Sequence, residues 1–280
     1  MQTEANNAFT LHNVCYRYGE GVDALEDISL TIGQGEKIAI LGANGCGKST
    51  LLKLLDGLLF PQSGTLTAFG ESLSAKTLAD ETTACRFRRR VGYLFQNADV
   101  QLFCPTVRDE IAFGPLQMGL PRDEVAQRVQ EVAALFGLTS LLDRTPFQLS
   151  GGEKKKVALA GVLAINPDVL LLDEPTGGLD PRSQGWLVDL LARLHAAGKT
   201  LVTATHDLHH VPLLADRAVV LSEDHRIVAE GPSAVLLADL RLLEAANLLH
   251  MHLHRHGDLI HSHPHFHSYD HEHTHDENTP

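Results

Sequence analysis

Eight residues limit the fold of this chain more than any others: Gly42-Ala43-Asn44-Gly45-Cys46-Gly47-Lys48-Ser49. The apolar run Ile38 to Leu41 leads into them, and a helical pattern from Lys48 to Leu59 leads out. A strand, a glycine-rich loop and a helix in this order make a cradle. Backbone N–H groups curl around phosphate there, at a helix N-terminus that favours negative charge. Lys48 is placed to reach the outer phosphates and Ser49 to ligate Mg²⁺. Gly42, Asn44, Gly45, Cys46, Gly47 and Thr50 complete the cradle. Its dipoles are expected to lower the pKa of the Cys46 thiol, which bound nucleotide would then protect.

The surrounding pattern is that of an α/β protein. Phe9 to Tyr18, Ile28 to Ile32 and Lys37 to Leu41 read as three strands separated by the turn-prone Gly19-Glu20-Gly21 and Gly33-Gln34-Gly35-Glu36. Val91 to Phe95 reads as another strand. Residues 107–163 are mostly helical, with apolar positions at three-to-four spacing over 125–137. Asp168 to Leu172 is a continuous apolar run after Asn166-Pro167, suited to a strand buried on both faces of a parallel sheet. Gln184 to Ala197 is a helix stopped by Gly198, and Thr200 to Thr205 a further strand. Ala218 to Leu221 and Arg226 to Ala229 close the core as a hairpin. A β-rich start followed by alternating β and α implies a parallel-sheet core with an inserted helical subdomain at about 97–163.

Two strand tips carry acid–base groups. Asp173 and Glu174 end the run 168–172 and precede Pro175. A carboxylate at the tip of a buried strand beside a phosphate cradle suits Mg²⁺, so Asp173 joins Ser49 as a metal ligand. Glu174 is the candidate base for an attacking water. His206 follows Thr200 to Thr205 directly and is placed to orient Glu174 or touch the outer phosphate. Gln96, just after the strand at 91–95, offers an amide to Mg²⁺ or water. With Lys48, these residues form the candidate catalytic set.

Leu149-Ser150-Gly151-Gly152-Glu153 resembles the signature of ATP-binding-cassette ATPases, whose last position is usually Gln. With the phosphate cradle, Gln96, Asp173-Glu174 and His206, the resemblance covers residues 9 to about 235. It implies ATP and Mg²⁺ as ligands and a nucleotide-sandwich dimer. Tyr18 then looks like the aromatic that stacks on adenine, with Tyr16 the alternative. Ser150, Gly151 and Gly152 would meet the γ-phosphate of ATP held by a second ATPase subunit, identical or different. Gly177-Gly178-Leu179-Asp180 resembles the loop that links the two sites, which makes Asp180 a further nucleotide-site residue.

A narrower likeness lies in Phe95 to Phe103, Pro105-Thr106-Val107, Ala112 to Leu116 and Ser150 to Ala160, which are similar to the energy-coupling-factor branch and its cobalt and nickel importers. In that branch the ATPase grips a transmembrane scaffold subunit, and a separate membrane subunit captures the substrate. A vitamin-uptake module is the alternative within the branch.

Composition sets further bounds. The net charge of −12 opposes binding to nucleic-acid backbones, and the basic run Arg86, Arg88, Arg89, Arg90 reads as a solvated segment. Cys15, Cys46, Cys85 and Cys104 are widely spaced and read as reduced thiols. No signal-peptide pattern opens the chain, and no apolar stretch reaches the roughly 20 residues of a spanning helix. A peripheral place on the cytoplasmic face of a membrane is expected. A non-transport cassette ATPase would carry long coiled-coil insertions or fused cassettes, which are not seen. A metal-storage protein would have no use for the hydrolysis set.

The cassette is expected over 1–249 and a separate His-rich, disordered tail over 250–280. Eleven of 17 histidines fall there: His250, His252, His254, His256, His261, His263, His265, His267, His271, His273 and His275. Neutral imidazoles suit Ni²⁺, Zn²⁺ and Co²⁺.

Overall fold

The computed structural model describes residues 6–19, 21–256 and 259–266, with side chains through Leu249. In chain order, β1 (Asn7–Tyr18) and β2 (Val22–Gly33) pair antiparallel, and β3 (Lys37–Leu41) enters a second sheet. Helix α1 (Lys48–Leu55) follows the glycine-rich loop. Strands β4 (Ser63–Ala68) and β5 (Glu71–Ser72) return to the first sheet. Then come α2 (Glu81–Arg90), β6 (Val91–Leu94) and the inserted helices α3 (Val107–Gln117), α4 (Arg122–Phe136) and α5 (Gly151–Leu163). The core resumes with β7 (Val169–Asp173), α6 (Pro181–Ala196), β8 (Thr200–Thr205), α7 (Val211–Leu214), β9 (Arg217–Leu221) and β10 (Ile227–Pro232). Short helices α8 (Ser233–Ala238) and α9 (Leu240–Ala245) precede β11 (Leu249–His256) and β12 (Leu259–Phe266).

The first sheet has the order β2-β1-β4-β5, and the second has the order β10-β9-β3-β8-β7-β6. In the second, β9, β3, β8, β7 and β6 run parallel, with β10 as an antiparallel edge. The connection leaving β3 runs toward β6 at one edge, whereas that leaving its neighbour β8 runs the other way, to β9. The carboxyl ends of β3, β7 and β8 therefore face one crevice, where ligands bind in open α/β sheets.

Burial explains why β7 reads as a continuous apolar run. In β7, Val169 and Leu171 face a core shared with the first sheet and α1, while Leu170 and Leu172 face the helical insertion. All four have no exposed surface. Each such side chain contributes about 1.5–3 kcal/mol relative to exposure, so there is no place for a polar residue until the strand tip.

Several elements escape the sequence reading. Strands β4 and β5 and helix α2 lie where the sequence reading names no element, because Gly64, Gly70 and the three consecutive arginines mask their short patterns. The arginines of α2 are also more engaged than a solvated run: Arg86 pairs with Glu71, Arg89 donates to the Met118 carbonyl and Arg90 pairs with Asp168. Beyond the core, β11 and β12 pair with His250 opposite His265, His252 opposite His263, and His254 opposite His261. Where the sequence suggests disorder, the backbone forms a hairpin. Its alternation of histidine with Leu249, Met251 and Leu253 is the period-two signature of a strand. His267, His271, His273 and His275 lie outside the described residues.

Candidate functional site

The loop between β3 and α1 owes its shape to glycine. Gly47, the N-cap of α1, has φ of +109°, and a Cβ there would lie 2.2 Å from the Ala24 carbonyl oxygen. Only glycine fits. Because Gly47 has no side chain, α1 starts without a side-chain cap and without an acidic residue in its first turn. The N–H groups of Lys48, Ser49 and Thr50 have no partner within the helix, which makes this terminus a ready anion site.

Lys48 is 6% exposed. Its ammonium donates to the carbonyls of Gly42 (2.7 Å) and Ala43 (3.1 Å) and lies 3.8 Å from Glu174 Oε1. Asn44 and Gly45 face solvent at the loop's crest. The hydroxyl of Tyr18 lies 3.3 Å from that of Thr50, which places this ring at the edge of the cradle. Tyr16 instead packs against the main core, with the two rings edge to face at 5.0 Å. His225 also reaches the loop, its Nδ1 lying 3.2 Å from the Cys46 carbonyl oxygen.

The tips of β7 and β8 lie side by side because the two strands pair in register, Asp173 opposite Ala204. Asp173 Oδ2 accepts a hydrogen bond from the Tyr93 hydroxyl at 3.1 Å, while Oδ1 is buried with no partner. Burial pushes the Asp173 carboxyl up, and the nearby Ser49 and Tyr93 hydroxyls oppose that shift. An orphaned buried carboxylate oxygen beside a hydroxyl is the donor set a hard cation takes, so Asp173 and Ser49 fit Mg²⁺.

Glu174 adopts a left-handed backbone conformation, φ +45°, which costs on the order of 1–3 kcal/mol unless its surroundings hold it. They do. Its N–H donates to the Ala204 carbonyl, the Thr205 hydroxyl donates to Oε2 (3.0 Å), and the His206 N–H donates to Oε1 (3.1 Å). The His206 ring Nδ1 lies 2.7 Å from the same Oε1. That hydrogen bond to Glu174 raises the His206 pKa above its ordinary value, with burial opposing. A carboxylate fixed by an imidazole, next to an anion cradle and a cation site, can take a proton from water attacking a phosphate.

Comparison with known proteins agrees with this geometry. Residues 25–177 match the ABC transporter family. The chain belongs to that family.

As a family member it is an ATP-binding subunit that hydrolyses ATP. Over 245 residues it is 51% identical to the nickel import ATP-binding protein NikO of Rhodobacter capsulatus, covering 86% of this chain and 96% of that one. It is 48% identical over 235 residues to the cobalt import ATP-binding protein CbiO of the same organism, covering 83% of this chain and 81% of the relative. The solved structure of cbiO1 from Clostridium perfringens, described as part of the ABC transporter complex cbiONQ, superposes with a TM-score of 0.73. It is 36% identical and covers 87% of this chain and 95% of that one.

The signature segment forms the start of α5. Ser150 is its N-cap: its hydroxyl accepts the Glu153 N–H at 3.3 Å, and Glu153 Oε2 accepts the Ser150 N–H at 2.8 Å. Glu153 thus completes a reciprocal capping box, a role open to Glu and Gln alike. The Ser150 hydrogen bonds hold the Glu153 carboxyl below its ordinary pKa. Ser150 and Gly151 are exposed, and a Cβ at Gly151 would meet nothing. The pair is open to a partner from outside the chain. Asp180 is otherwise occupied, since its carboxylate caps α6 by accepting from the N–H groups of Arg182 and Ser183.

One expectation changes. The Cys46 thiol is 2% exposed, and burial pushes its pKa up although nearby Lys48 works the other way. Desolvation outweighs the loop dipoles, so no activated thiol is present. Gln96 lies two residues beyond β6 and is exposed, with no side-chain hydrogen bond among the described residues, and it remains a candidate for the water or cation. Sequence reasoning also missed Tyr93, Thr205 and Lys155. Each reads as an ordinary strand or helix residue until folding sets it beside Asp173 or Glu174.

Among the described residues no helix is long and apolar enough to cross a membrane.

Proposed function

We propose that this chain powers the uptake of nickel or cobalt ions from the cytoplasmic face of a membrane, as one ATPase of a dimer bound to membrane subunits. The observation that carries the chemistry is the Glu174–His206 pair, held at the end of β7 within 3.8 Å of Lys48. The relatives named for nickel and cobalt import support the choice of substrate.

In this reading ATP lies on the N-terminus of α1, with adenine against Tyr18. Lys48 leaves the Gly42 and Ala43 carbonyls for the outer phosphates, Gln96 approaches the water or cation, and Glu174 takes the proton of the attacking water. An oxygen–phosphorus bond to water forms as the bond to ADP breaks. Mg²⁺, held by Ser49 and Asp173, neutralises phosphate charge when bound. His206 keeps the Glu174 carboxylate oriented. Ser150, Gly151 and Gly152 meet the nucleotide of the second subunit, and Asp180 shapes the turn between the sites. Closure on ATP and opening after hydrolysis then work the membrane partners.

The histidines of β11 and β12, with those beyond, supply imidazoles for Ni²⁺, Co²⁺ or Zn²⁺ near the transporter. The decisive experiment compares uptake of radiolabelled nickel and cobalt in cells carrying the native chain or Glu174→Gln. Loss of uptake of either metal in the variant names the substrate. Unchanged uptake of both would overturn the reading.

A further inference from the structure

One buried charge has no part in the chemistry above. Lys155, on the second turn of α5, is 7% exposed. Its ammonium donates to the backbone carbonyls of Glu174 (2.8 Å) and Gly177 (2.9 Å). It forms no ion pair among the described residues, so two carbonyl dipoles hold the cation. Burial lowers its pKa to about 8, with the Glu174 and Asp173 carboxylates drawing it back up. A buried ammonium without a carboxylate partner is costly, and an apolar side chain of the same length would avoid that cost.

What the ammonium fastens accounts for its presence. The two carbonyls belong to a single tight turn, in which the Gly177 N–H donates to the Glu174 carbonyl at 3.2 Å. Glu174 begins that turn in the left-handed conformation. The contacts that fix its carboxylate come from β8 and His206, whereas Lys155 is the side chain that holds its carbonyl. Charge-assisted hydrogen bonds are about twice as strong as neutral ones, so this link is well suited to maintain a strained backbone. It also joins the turn to the helix whose N-cap is Ser150.

We propose that Lys155 is a positioning residue for ATP hydrolysis, fastening the first turns of α5 to the backbone that presents Glu174. This rests on the general-base reading of Glu174 given above. In the proposed dimer, displacement of the Ser150 end of α5 by the partner's nucleotide is passed through Lys155 to the base of its own site. The family match, which concerns ATP hydrolysis as such, assigns no role to this side chain.

Steady-state hydrolysis by the full chain tests this, with ATP affinity measured separately. Lys155→Met keeps length and helix propensity but removes the donors. We expect kcat to fall about tenfold or more while KM and ATP affinity stay within about twofold of wild type, as for a group that acts only on the transition state. Lys155→Arg, which restores donors to the carbonyls, should recover most of the lost kcat. In a Glu174→Gln background, read by single turnover, Lys155→Met should cost less than about twofold more, because the group it positions is gone. Should the Met variant not fold, Lys155→Leu carries the same test.

Wild-type kcat in a folded Met or Leu variant would overturn the proposal. A further tenfold loss in the Glu174→Gln background would also overturn it, because Lys155 would then act elsewhere. Full turnover in Glu174→Gln alone would overturn the general-base reading itself, a result read from a different variant.

Discussion

Helices α1 and α5 both begin with small residues, and in the proposed reading both meet phosphate there, yet they are finished in opposite ways. Helix α1 has a glycine cap with no side chain to offer, and its first-turn donors are left open. Helix α5 has a complete capping box, with Ser150 and Glu153 serving each other. An uncapped terminus gains most from an anion, because the ligand supplies the missing acceptors. A capped terminus already has its acceptors, and a carboxylate near its dipole reduces the attraction of a second anion. The comparison favours α1 as the proposed resident nucleotide site of this chain. Helix α5 has its end groups satisfied within the chain, which suits the transient contact across an interface proposed for it.

The largest test of this asymmetry removes the base beside α1. Glu174→Gln is expected to lower kcat by about 10²-fold or more while ATP still binds, since general-base catalysis contributes on that order. A turnover assay with a parallel nucleotide-binding titration would check it. Next in size, Lys48→Met should weaken ATP binding by roughly 10- to 100-fold, the loss of a charged hydrogen bond worth about 1.5–3 kcal/mol. An equal loss of ATP affinity in Ser150→Ala, measured on the isolated monomer, would break the comparison.

For Ser150→Ala we expect instead a stability loss of about 1 kcal/mol from the missing cap. Denaturant unfolding, in which capping loss shifts the midpoint but not the slope, would check it. Smaller still is the pH effect of Glu153. Its folded pKa lies below the ordinary value, so its contribution is present above pH about 4.5 and fades as pH falls through the folded pKa. Glu153→Gln should therefore differ from wild type in melting temperature at pH 7 and converge with it at lower pH. The smallest effect belongs to the tail. Removing residues 250–280 should leave ATP turnover within about twofold and shift stability by under about 1 kcal/mol, the scale of surface changes. The cut must spare Leu249, which is 1% exposed in the cluster with Val211 and Leu243.

Much of this molecule was legible before folding. Strands β3 and β8 stand within the limits the sequence suggests, and β7 is shifted by one residue, because strands buried on both faces are marked by apolar and β-branched residues in a run. The inserted helices were visible as a block, through the three-to-four spacing that amphipathic helices need. The short strands β4 and β5 were not, since two to six residues with glycine carry too little period to read. The pairing of β11 with β12 was not anticipated for a different reason. The low complexity of the histidine tail outweighed an alternation that, in the backbone, pairs as a hairpin.

By itself, the sequence determined the phosphate cradle, the acidic strand tip and the histidine that follows β8, because each depends on local order along the chain. Only the tertiary structure decided how those parts act on one another. It set His206 2.7 Å from Glu174, left one oxygen of Asp173 buried without a partner, and drove the Cys46 pKa upward. It also brought Lys155 across from the helical insertion to hold the turn at Glu174. These are matters of distance and desolvation between residues tens of positions apart, and no local pattern along the chain encodes them.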